Sequence, residues 1–162
     1  MIVFGIDPGT SESAFVIWNG EEITSHGLVP NETLLNAFVC GEWADPNSGV
    51  MVLEKVESFG MPVGKETFRT VFWSGRFAQG WTPKRFEEVT RREVKLHICG
   101  HVRATDANIR QALIDRFGPP GVKAHKGMLY GLKGHEYAAL AVAVTFHDSH
   151  VGEIRPNVQP EF

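Results

Sequence analysis

Ile2-Val3-Phe4-Gly5-Ile6-Asp7-Pro8-Gly9-Thr10 opens the chain, and the reading of everything after it depends on this stretch. An apolar run rich in β-branched and aromatic residues ends on one carboxylate and then on turn formers. This predicts a buried strand that stops at a Pro-Gly turn and leaves Asp7 at its exposed end. Ala14-Phe15-Val16-Ile17-Trp18 predicts a second strand, and the Asn19-Gly20 that follows is a strong hairpin signal. Glu22 to Leu28 predicts a third strand, so the chain begins as an antiparallel meander. Taken alone, Asp7 reads more readily as an ordinary turn residue.

The weight on Asp7 comes from a second stretch of the same kind. Val50-Met51-Val52-Leu53-Glu54 is again an apolar run that stops on an acid. Two buried strands of parallel type, if neighbours, bring Asp7 and Glu54 to the same end of one sheet. Glu57 follows three residues later, at the start of a Gly/Pro-broken loop that carries Phe59 and Met61.

Between and beyond these strands the periodicity is helical. Asn31 reads as the N-cap of a helix through Leu34, Leu35, Phe38 and Val39. Lys65 to Phe77 reads as a helix whose packing face is Phe68, Val71, Phe72 and Ser74-Gly75. Its Phe68, Phe72 and Trp73 offer more aromatic surface than one face can bury, which makes it either a candidate interface between chains or plain core. Phe86-Glu87-Glu88-Val89 is a short strand, and Thr90-Arg91-Arg92-Glu93 is a capping box for a helix that Gly100 stops. Thr105 to Asn108 caps a further helix, halted at Gly118-Pro119-Pro120. A basic connection with Lys123, Lys126 and Lys133 leads to a last helix, His135 to Val144, whose alanines allow close packing on a sheet. His97, Cys99 and His101 do not share a helix face and do not make a zinc site.

With 162 residues, 43 % of them hydrophobic, the chain is long enough for one domain with a full core, assigned to residues 1–150 and followed by a tail, 151–162. Two cysteines make no disulfide framework, and no signal or membrane-spanning segment is visible, which suggests a cytoplasmic protein. The net charge of −3 hides an asymmetry: residues 1–64 hold one basic and nine acidic residues, whereas residues 65–135 hold 14 basic and six acidic ones. Carboxylates followed by a basic middle suit a site that acts on a polyanion.

Four motifs in this order resemble the RuvC family of Holliday junction resolvases, within the RNase H-like superfamily. Ile6 to Thr10 is similar to the family's first strand and turn, and Leu53 to Glu57 to its second acidic motif. Arg92-Glu93-Val94-Lys95 to Gly100 and Ala104 resembles its basic helix. His135 to Thr145 resembles its closing helix, His-x-x-Asp-Ala-Leu-Ala-x-Ala in fuller form. The compactness is that of phage-encoded members, for which the location would be the host cytoplasm.

The resemblance implies an α/β fold of the RNase H-like type: a mixed sheet of about five strands, antiparallel meander then parallel strands, flanked by helices. It implies a homodimeric endonuclease that cuts four-way and branched DNA junctions in pairs of incisions. Two Mg²⁺ ions per site would be held by Asp7, Glu54 and His135, with His135 as ligand or proton carrier. In-line hydrolysis with two ions places them roughly 4 Å apart, and Mn²⁺ would substitute where a histidine is a ligand. DNA contacts are expected from Lys95, Arg76, Arg103, Arg110, Lys123, Lys126 and Lys133, with Phe59 or Met61 inserting at the crossover.

This chain departs from the pattern in three places. The acid expected three residues after His135 is Ala138, and an i, i+3 pair faces one way on a helix. Glu136 lies about 100° round the helix and Asp148 three turns on, so the chain reads as a resolvase inactivated at Ala138, by a deliberate Asp→Ala change rather than a natural loss, with the alternative that His135 and Glu136 suffice. A second DNA-contacting lysine aligns with Asp106, and the aromatic wedge position with Glu57. A catalytically silent binder of branched DNA is therefore the competing reading. An actin-like nucleotide binder, suggested by Asp7 to Thr10 alone, would need a second such domain and a second phosphate loop.

Overall fold

The computed structural model describes residues 1–42, 49–58, 60, 62–81 and 85–150. The tail 151–162 and the loop residues Phe59 and Met61 lie outside the described residues. The elements are β1 (Ile2–Asp7), β2 (Glu12–Trp18), β3 (Ile23–Pro30), α1 (Asn31–Cys40), β4 (Gly49–Lys55), α2 (Lys65–Gly80), β5 (Phe86–Thr90), α3 (Arg91–Cys99), α4 (Asp106–Phe117), β6 (Gly121–Val122), β7 (His125–Lys126) and α5 (His135–His150).

Five strands form one sheet in the order β3-β2-β1-β4-β5. The meander β1-β2-β3 is antiparallel, as the sequence predicted, and β4 pairs with β1 and β5 with β4 in parallel, which gives the mixed sheet that the resemblance implied. Short β6 and β7 pair separately. No described helix is long and apolar enough to cross a membrane.

Because side chains alternate along a strand, each apolar run feeds two cores. Phe4 and Ile6, with Met51 and Leu53, face α1 and α2 among Leu34, Phe38, Trp73 and Phe77. Val3, Val50 and Val52 face the other way, against α3, α4 and α5. Parity then carries Asp7 and Glu54 to the α5 side. Helix α5 is buried nearly all round, and its close approach needs Gly5: a Cβ there would lie 2.3 Å from Ala139 O and 2.8 Å from Ala143 Cβ.

Two local expectations are corrected. Pro30, not Asn31, occupies the N-cap of α1, and Asn31 is the first helical residue with its side chain buried. Its amide donates to Gly9 O (3.0 Å) and accepts from the Ser13 hydroxyl (2.6 Å), which itself accepts from Gly9 N–H. Asn31 thus clamps the turn after Asp7, because the antiparallel β2 carries Ser13 back beneath that turn. On α2, Trp73 and Phe77, four residues apart, take the inward face. Phe68, Val71 and Phe72, expected to pack inward, are exposed. With aromatic residues on both sides of this helix, periodicity alone does not choose between them.

Candidate active site

The parallel pairing of β1 with β4 sets Ile6 opposite Leu53, so the next residues, Asp7 and Glu54, end the two central strands side by side. Both are largely buried, with side chains 15 % and 12 % exposed. Burial pushes both carboxyls above their ordinary pKa. The Asp7 charge pushes Glu54 further up, while His135 and Arg91 pull Asp7 part of the way back. Two buried acids side by side, the charge of one raising the other's proton affinity, mark a place short of positive charge.

His135 opens α5 over this pair. Its Nδ1–H donates to Asp7 Oδ2 (2.8 Å), while the ring, 75 % exposed, stays open to solvent. Ala138, one turn on, lines a cavity of about 230 Å³ with Asp106, Ile109, Arg110, His135 and Tyr137. An aspartate at 138 would project into that space. Neither nearby acid fills it. Glu136 is buried and accepts from His26 Nδ1–H (2.7 Å) and from Lys133 N–H (2.7 Å). Asp148 accepts from His97 and from both terminal nitrogens of Arg116.

A cation missing from the sequence-based set stands at the centre. Arg91, the first residue of α3, binds both oxygens of Glu54 through Nη1 (2.8 and 3.2 Å), and its Nη2 contacts Asp106 Oδ1. The signal for it was present. A helix that starts directly after a strand parallel to β4 presents its first residue at the same sheet end as Glu54, and Thr90 and Glu93 form the capping box that fixes that start.

The expected DNA-contacting residues fall into groups. Arg110 stands beside His135, its guanidinium 5.0 Å from the Tyr137 ring. Lys95 shares a concave patch with Arg91, Arg92 and Val102. Arg103 lies exposed in the turn after α3, and Lys123 and Lys126 are exposed on the β6-β7 hairpin. Lys133 is exposed just ahead of α5. Arg76 does not join them. It sits on α2, across the sheet from α5, paired with Glu32 (3.1 Å) and 4.4 Å from the Trp73 ring.

As a donor set, two carboxylates suit a hard divalent ion, while the imidazole beside them is a softer ligand. Among the described residues, however, no three side chains of ligand type are gathered closely enough to hold one as they stand. The expected arrangement of two ions in a complete ligand set is not assembled.

Together, the mixed five-stranded sheet and its flanking helices define the RNase H-like class of fold. Within that class the chain is similar to the structure of RuvC from Thermus thermophilus, at 14 % identity and a TM-score of 0.67 over 94 % of this chain and 96 % of that one. It is also similar to T. thermophilus RuvC in complex with a Holliday junction substrate, at 14 % identity, a TM-score of 0.64 and the same coverage. No protein-family model matches the chain, and no curated protein matches it in sequence.

Proposed function

We propose that this chain is a structure-selective endonuclease of branched DNA, four-way junctions above all, working with a divalent ion held by Asp7 and Glu54. The observation that carries the reading is the meeting of these two buried carboxylates beneath His135 at the end of the central parallel strands. Its support is the fold shared with a protein solved on a Holliday junction.

When bound, such an ion supplies Lewis-acid polarisation of a phosphodiester and a more acidic water. The residues divide the remaining work. Asp7 accepts from His135 Nδ1–H and so orients the ring, which leaves Nε2 on an exposed edge to take a proton from an incoming water. Arg110 beside His135, Lys133 exposed just ahead of α5 and Lys95 on α3 would bind the phosphate backbone, and such contacts would make binding salt-sensitive. Paired incisions on a two-fold junction call for two sites, hence a homodimer. The exposed Phe68, Val71 and Phe72 of α2 are the surface we assign to it.

A second reading, a silent junction binder, is favoured by Ala138. The test runs the unaltered chain beside Ala138→Asp on a labelled four-way junction with Mg²⁺. Symmetric incisions by the Asp form, with the unaltered chain slower by about tenfold or more, support the endonuclease and place the missing acid at 138. Equal cutting keeps the endonuclease and removes the need for that acid. Binding without cutting by either form replaces the enzyme with the silent binder.

A further inference from the structure

The first turn of α5, which presents His135, is open on one side. There Gly134, His135 and Ala138 border the cavity of about 230 Å³. The contact that seats the helix on β1 comes later, at Ala139 and Ala143. A helix start beside open space has room to roll, and a roll would carry the His135 ring off Asp7.

The brace lies on another face of the same turn, at Glu136. Successive helix residues point about 100° apart, so Glu136 meets β3 while His135 meets Asp7. Its carboxylate is 6 % exposed, and both oxygens are engaged. Oε1 accepts from His26 Nδ1–H and Oε2 from Lys133 N–H, each at 2.7 Å. Glu136 N–H donates back to Lys133 O (2.9 Å), so the turn is closed in both directions. His26 is held in its own place. It stands on β3 opposite Val16 of β2, and the backbone of Gly131 lies against its ring, where an added Cβ would sit 3.3 Å from Cε1. A buried carboxylate is costly without partners, so the helix start has one seating that satisfies Glu136.

We propose that Glu136 and His26 are positioning residues for His135: their bond fixes the rotation of the first turn of α5 and so holds the His135 ring on Asp7, an assignment that rests on the endonuclease reading and deepens it. Neither side chain touches the substrate. They act through the one backbone turn that carries both Glu136 and His135.

Two-bond ¹⁵N–¹H spectra of the full, metal-free chain near pH 8, above the ordinary imidazole range, read which ring nitrogen of each histidine holds a proton. His135→Gln assigns the signals of that ring. In the unaltered chain His135 is expected to hold a proton on Nδ1, the atom bonded to Asp7. His26→Leu with Glu136→Leu removes both polar partners and strands no buried charge. In that double variant His135 is expected to share its proton between both nitrogens. His26→Asn places an amide N–H where Nδ1–H stood and is expected to keep the unaltered state. A pair that only stabilised the fold would lower the urea midpoint of the double variant and leave the His135 ring state unmoved. That result overturns the proposal, as does an unaltered chain without the Nδ1 proton.

Cleavage is read separately, in whichever of the unaltered chain and Ala138→Asp cuts junctions. There the double variant is expected to lower kcat about tenfold or more with KM little changed, because a misplaced reacting group slows the chemical step. If neither chain cuts while the ring states come out as stated, the endonuclease falls and Glu136 and His26 stand as the anchor of His135. If junctions are cut and the double variant keeps either the ring state or kcat, the assignment falls and the endonuclease stands.

Discussion

Asp7 carries opposing forces: burial raises its carboxyl pKa, while His135 and Arg91 lower it without cancelling that rise. A carboxyl whose folded pKa lies above its unfolded one binds its proton more tightly when folded. Its ionisation therefore costs stability in full above the folded value, and the cost vanishes as pH falls below the unfolded one. For the metal-free protein, Asp7→Asn is expected to raise Tm near pH 8 by roughly 2–4 °C, which is what about 1 kcal/mol gives at this size. The gain should shrink toward pH 4, as read by melts across that range. Added Mn²⁺ should raise the Tm of the unaltered chain and leave Asp7→Asn nearly unmoved, since only an ion that binds the folded state shifts it. An Asp7→Asn form that melts lower at pH 8 would mean the His135 bond outweighs burial.

At the scale of elements, the site exists because α5 lies close on β1. That approach puts His135 over Asp7, and it is possible only where β1 has no side chain, at Gly5. Gly5→Ala is expected to push α5 off the sheet, at a cost of about 1–3 kcal/mol in urea unfolding. The cleavage rate should fall with it, because His135 moves relative to Asp7. A fully stable Gly5→Ala protein would show that α5 can shift without cost. The helix starts matter in the same way. Thr90 caps α3 one residue before Arg91, and Thr105 caps α4 one residue before Asp106. Two capping boxes therefore set the two ends of the Arg91–Asp106 contact.

For the whole molecule, the sheet divides the labour. One side carries α3, α4, α5 and the carboxylate end; the other carries α1 and α2, with Phe68 and Phe72 exposed at 64 % and 60 %. Pairing of two chains through α2 would leave the carboxylate sites facing outward to a junction. Phe68→Glu with Phe72→Glu is expected to halve the sedimenting mass in analytical ultracentrifugation. Stability should change by no more than about 0.5 kcal/mol, because these rings touch little of their own chain. An unchanged mass would move the interface elsewhere.

Much of this was determined by the sequence itself. Strand periodicity, the turn after Asp7, the capping boxes and the recurrence of an apolar run ending on an acid are local patterns, and they were enough for the antiparallel meander and for two strands that end on Asp7 and Glu54. The mixed sheet came from the family resemblance, and the neighbouring of β1 and β4 from the fold. The tertiary structure decided what depends on partners far apart in the chain. Asn31 reads locally as a cap, yet it is buried as the clamp on Gly9, because β2 returns beneath the first turn. Which aromatic face of α2 turns inward depends on α1 and the sheet. Arg91 looks like one basic residue among 14 in its segment, and only the parallel neighbours β4 and β5 bring its guanidinium to Glu54. Local pattern sets which face a residue takes on its own strand or helix, whereas a charge takes its meaning from the charges that folding brings within a few ångströms of it.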